Sequence, residues 1–127
     1  MMGDTTAFQA EVQTWLHEIL TSEKPLDGIS AYRFGLGEVE EGYVLYLAGS
    51  KIYNEEHDEW AANLPEFLAA KELIISGDDG REWYWILLEI IYVLGRALRK
   101  MPVQSSFLGG TIPVYTGFES GDLYRIK

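Results

Sequence analysis

The chain contains no cysteine, which excludes a disulfide framework, a thiolate metal site and a cysteine nucleophile, and which fits a reducing compartment. Histidine is nearly as scarce. His17 and His57 are the only two, and the first falls on the polar side of an amphipathic helix while the second sits among carboxylates, so a serine triad has no base to draw on. No apolar run is long enough to cross a bilayer, because the longest, Trp83 to Leu94, is interrupted by Glu89. The opening Met-Met-Gly-Asp-Thr-Thr has neither a basic leader nor an apolar run, so the protein is expected to be soluble and cytoplasmic.

Bases are also in short supply. Ten Lys and Arg against 20 Asp and Glu give a net charge of −10, which argues against nucleic acid and anionic membrane as direct partners. Between Glu38 and Glu82 there are 12 acids and three bases, Lys51, Lys71 and Arg81, so nearly all of the excess lies in the central third. Such a distribution either keeps a small protein in solution or forms a docking face for a basic protein.

The familiar chemical signatures are missing too. The sequence has no Gly-x-x-x-x-Gly-Lys-Ser/Thr phosphate loop, no Gly-x-Ser-x-Gly elbow, no His-Glu-x-x-His and no Gly-x-Gly-x-x-Gly with an acidic follower. The acids around His57 lack the spacing and the turn glycine of a calcium loop. Pairing Asp58 or Glu59 with Glu119 or Asp122 could in principle do acid and base work, but 20 acids offer too many pairs for that signal to carry weight. We therefore expect no enzyme, no cofactor and no metal.

What is present suits one domain. A chain of 127 residues, 47% hydrophobic and 13% aromatic, has enough apolar area to offset the entropy of ordering a single core. Phe8, Val12, Trp15, Leu16, Ile19 and Leu20 recur at three- and four-residue spacing after Asp4-Thr5-Thr6, which predicts an amphipathic helix over about 6–22, ended by Pro25 and Asp27-Gly28. From Ile29 the pattern alternates, with Ala31, Arg33, Gly35 and Gly37 opposite Tyr32, Phe34, Leu36 and Glu38. Glu40-Glu41-Gly42 then turns this strand into an antiparallel hairpin with Gly42–Ala48, whose faces are both apolar and call for cover on each side.

Further along, Leu64–Leu68 reads as a short helical turn, 71–76 as a third strand and 77–80 as a loop. A long helix is predicted over 81–100, with Trp83, Leu87, Ile90, Leu94, Ala97 and Leu98 as its core stripe and Tyr84, Leu88, Ile91 and Tyr92 as a second apolar side. That second side needs cover from the sheet and the first helix together, or from a second copy in a homodimer. Pro102 stops the helix, 104–110 is a flexible connection, and strands follow at 111–116 and 123–126. The order α-β-β-β-α-β-β predicts an α+β fold with a mostly antiparallel sheet of four to five strands and two main helices.

The positive signal is for binding. Glu55, Glu56, Asp58 and Glu59, with Tyr53 alongside and Trp60 at the end, combine charge steering with aromatic anchors, although Trp60 could equally pin the segment to the domain. The run Gly42-Tyr-Val-Leu-Tyr-Leu-Ala-Gly-Ser-Lys51, then Tyr53, the acids and Trp60-Ala61, together with Val114-Tyr-Thr-Gly-Phe-Glu-Ser-Gly-Asp-Leu123, resembles small acidic bacterial immunity proteins that accompany polymorphic or contact-dependent toxins. The resemblance implies a cytoplasmic protein that neutralises a basic, nuclease-like toxin domain, and it carries no catalytic residues over.

Overall fold

The computed structural model describes residues 5–76, 82–100 and 103–127. In chain order its elements are helix α1 (Thr5–Ser22), strands β1 (Ala31–Val39), β2 (Gly42–Ser50), β3 (Phe67–Leu68) and β4 (Leu73–Ser76), helix α2 (Trp83–Ala97), and strands β5 (Val114–Phe118) and β6 (Tyr124–Arg125). Short 3-10 turns occupy Asp58–Ala62 and Val103–Ser105. The fold is α+β, as the order of the sequence patterns predicts. The N-terminal Asp4, the loop at 77–80, Arg81 and Pro102 lie outside the described residues.

The sheet has six strands rather than four to five, and it is mixed. β1 and β2 form the expected antiparallel hairpin, Val39 pairing with Gly42 across Glu40-Glu41. Gly42 closes this turn at a φ of +148°, which a residue with a side chain rarely adopts. On the other side of β1, β5 runs parallel, because α2 carries the chain back across one face of the sheet before β5 begins. β6 returns antiparallel to β5.

The outer edge of β2 is shared. β4 pairs with its first half, Gly42 to Leu45, and β3 with Ala48 and Gly49 near its end. β3 replaces the helical turn expected at Leu64–Leu68. Its backbone groups pair with the otherwise open edge of β2, and Phe67 packs edge-on against Tyr32 and Phe107 at 6.2 and 6.1 Å between ring centroids. Long-range pairing and burial here outweigh a weak local preference.

Both helices lie on one face of the sheet. Phe34, Leu36, Leu45, Leu47 and Val114 from the strands are sealed against Val12, Trp15, Leu16 and Ile19 of α1 and Ile86, Ile90, Val93 and Leu94 of α2. Two polar groups of this core are paired: the buried Thr116 hydroxyl donates to the Phe34 carbonyl at 2.7 Å, and the Trp15 indole donates to the Lys71 carbonyl at 3.0 Å. Each such bond spares the interior an unsatisfied group, which would cost about 1–3 kcal/mol.

Three details of the helical layer differ from the sequence pattern. α2 is shorter than 81–100, ending in tight turns in which the Arg99 and Lys100 amides donate to the carbonyls of Arg96 and Ala97. Trp83 is 52% exposed and lies outside the core stripe, at the first residue of the helix, where its ring meets Phe118. The connection at 104–110 is packed, with Leu108 fully buried and Gly109 pressed against the Gln104 carbonyl.

Gly109 and Gly117 both approach backbone carbonyls, of Gln104 and Asp122 respectively, more closely than any Cβ could, whereas Gly121 has its nearest neighbour at 3.8 Å. Urea denaturation should show Gly109→Ala and Gly117→Ala each losing about 2–3 kcal/mol, with Gly121→Ala within about 0.5 kcal/mol of the parent.

Candidate partner-binding face

The face of the sheet turned away from the helices presents Ala31, Arg33, Gly35 and Gly37 of β1 beside Ser50, Ala48, Tyr46 and Val44 of β2 and Tyr115 and Gly117 of β5. No helix covers it. At the end where β1 starts and β2 finishes, the segment after Lys51 folds back and closes a second small core of Ala31, Trp60 and Tyr115, with Tyr53, Ala61 and Leu123 against it. The three rings of Tyr53, Trp60 and Tyr115 pack mutually, with centroids 5.3, 5.4 and 6.0 Å apart, and the Tyr53 and Tyr115 hydroxyls share a hydrogen bond of 2.7 Å.

Trp60 is therefore an anchor turned inward. At 3% exposure it offers no ring to a partner, and Tyr53 is half-buried beside it. What these two residues do is hold the acidic segment in place. The segment is also tied locally: the Asn54 carbonyl Oδ1 accepts the Glu56 amide at 2.8 Å, and Glu66 accepts the Lys51 amide at 2.7 Å. Glu55, Glu56, Asp58 and Glu59 are all exposed, on a backbone whose entry and exit are fixed.

Next to this segment the sheet face stays open, and its surface is shaped by two glycines. The Tyr46 ring lies down over Gly35, and the Glu119 carboxylate over Gly37, each in space that a Cβ would fill. Arg33 secures the tyrosine from the side. Its Nη1 donates to the Tyr46 hydroxyl at 2.9 Å and its guanidinium carbon is 5.5 Å from the ring centroid, while its Nε is buried with no hydrogen-bond partner. Val44 is half-buried, and Leu68 and Ile74 are exposed at the β3 and β4 edge. Arg33, Gly35, Gly37 and Tyr46 had a visible signal in the sequence, since two glycines at alternate positions leave one strand face without side chains, but alternation alone gives no reason to choose that face.

Charge brackets the open face. One acidic group is the segment at 55–59, and a second gathers at the hairpin tip, where Glu38, Glu40 and Glu41 are exposed and Glu119 reaches Gly37. The ends of the hairpin are about 26 Å apart at the usual rise per residue. Burial raises the Tyr43 hydroxyl pKa near the tip, and the charges of Glu38 and Glu82 add to the shift. Asp58 acts similarly on Tyr115. Among the described residues, no group of three or more His, Asp or Glu is placed to hold a metal ion.

The chain matches no family model, and no curated protein or solved structure matches it.

Burial pushes the Tyr115 pKa up to about 12, assisted by the hydrogen bond shared with Tyr53, and burial alone does the same for Tyr32. A raised tyrosine pKa means that the folded state holds its proton where the unfolded chain has lost it, so this stabilisation is complete below pH 10 and disappears as pH rises toward 12. Urea midpoints measured across that window should fall, and fall less steeply in Tyr32→Phe and Tyr115→Phe, which have no phenol to ionise.

Proposed function

We propose that this is a non-catalytic binding protein, a cytoplasmic immunity protein that neutralises a basic, nuclease-like toxin domain by covering its cationic groove. The observation that carries the reading is the exposed set Glu55, Glu56, Asp58 and Glu59, pinned by Tyr53 and Trp60 beside an open sheet face. A fixed cluster of carboxylates can take the place of phosphates in such a groove, and pinning it beforehand reduces the ordering cost of binding.

The adjoining surface has the composition of an interface. Tyr46, Val44, Leu68 and Ile74 supply apolar area at the centre, Arg33 holds the ring in position, and acids occupy both ends. Aromatic residues in a preset orientation are the usual source of binding energy, while charges at the rim set approach rate and partner choice. Among the described residues no helix is long and apolar enough to cross a membrane, which is compatible with action in the cytoplasm. Nucleic acid is disfavoured as a direct partner by the same acids.

The test is a binding measurement against any basic, nuclease-like toxin domain encoded beside this gene. Replacing Glu55, Glu56, Asp58 and Glu59 together by their amides should slow association roughly tenfold or more at low salt, and added salt should erase most of the difference. Tyr46→Ala should instead speed dissociation. Equal rates for the parent and the fourfold amide variant would refute the role given to the acidic segment.

A further inference from the structure

The outer side of α2 is a second surface, on the layer opposite the open sheet face. Its inner side carries the buried Ile86, Ile90, Val93 and Leu94. At 3.6 residues per turn the line opposite them runs through Tyr84, Leu88 and Tyr92, which are 53%, 63% and 48% exposed. Neither α1 nor the sheet covers this line, so a stripe of apolar area is left in water.

We propose that the stripe is the contact surface of a homodimer, in which α2 of a second copy packs antiparallel about a two-fold axis passing beside Leu88. The surface is self-complementary in that arrangement. Leu88 meets the partner's Leu88, and each Tyr84 comes level with the partner's Tyr92, so that four tyrosine rings flank the two leucines.

Charge fixes the direction and the register. Arg96 lies eight positions after Leu88 and Glu82 six before it. With a rise of about 1.5 Å per residue, the antiparallel pair brings Arg96 and the partner's Glu82 to about 3 Å of the same height, and both fall on the same side of the seam. Both are exposed, and among the described residues neither is in a salt bridge. The Arg96 guanidinium already leans toward the middle of the stripe, donating to the Tyr92 hydroxyl at 2.7 Å. A parallel pair would instead crowd Arg96, Arg99 and Lys100 of both copies together, which like-charge repulsion opposes.

A contact made mainly by one helix about 22 Å long buries less than the roughly 800 Å² per partner of a tight complex, so the dimer is weak and its population rises with concentration. Sedimentation velocity on the full chain, from micromolar to millimolar at low salt, should show a monomer–dimer equilibrium. Leu88→Glu should leave only monomer. Glu82→Arg and Arg96→Glu should each weaken self-association about tenfold, since either change sets like charges at both contacts. An equimolar mixture of these two variants should recover parental association, because the mixed pair has opposite charges at both contacts. A strict monomer throughout, dimer persisting in Leu88→Glu, or a mixture no stronger than the single variants would overturn the proposal. All three positions are exposed, and far-UV circular dichroism confirms the fold of each variant. Amide substitution at 55–59 should leave the equilibrium unchanged, which separates this outcome from that of the toxin-binding experiment.

Discussion

Residues of the β1–β2 hairpin point alternately to opposite sides, and the two helices can cover only one of those sides. Phe34, Leu36, Leu45 and Leu47 occupy the covered side and are fully buried. The residues between them, Arg33, Gly35, Gly37, Val44, Tyr46 and Ala48, face the side that neither α1 nor α2 covers. The features of the bare side are a response to that division. Small residues and a tyrosine lying flat reduce the apolar area the bare side would expose, and the chain after β2 doubles back to cover one end of it.

The doubling back explains why an acidic loop and an aromatic cluster occur in one segment. Four carboxylates within five residues repel one another and would hold a free loop extended. Burying Trp60 and Tyr53 against Ala31 and Tyr115 supplies the apolar contact that offsets this repulsion, and it sets the carboxylates outward because the rings point inward. The aromatic residues thus give the charges a fixed address. The centre of the proposed interface comes from Tyr46 and its neighbours instead.

On the helical layer a different balance holds. α2 is apolar on most of its circumference, yet the sheet and α1 use only its inner side. The outer line of Tyr84, Leu88 and Tyr92 is separated from the acidic face by the full thickness of the domain. The proposed self-association through α2 and the proposed capture of a basic partner through the sheet therefore fall on separate surfaces.

Periodicity by itself determined much of the framework. The spacing of Phe8, Val12, Trp15, Leu16 and Ile19 specified α1 and its buried side, and alternation around Glu40-Glu41-Gly42 specified the hairpin and its antiparallel sense, because these are local patterns with a fixed geometric period. The exposure of Glu55, Glu56, Asp58 and Glu59 was legible in the same way, from the cost of burying charge. Tertiary structure alone decided the rest. The parallel seat of β5, the division of one β2 edge between β3 and β4, and the inward turn of Trp60 all depend on which distant backbone edges and apolar surfaces were still uncovered once the hairpin and helices had packed. That information is absent from any short window of sequence.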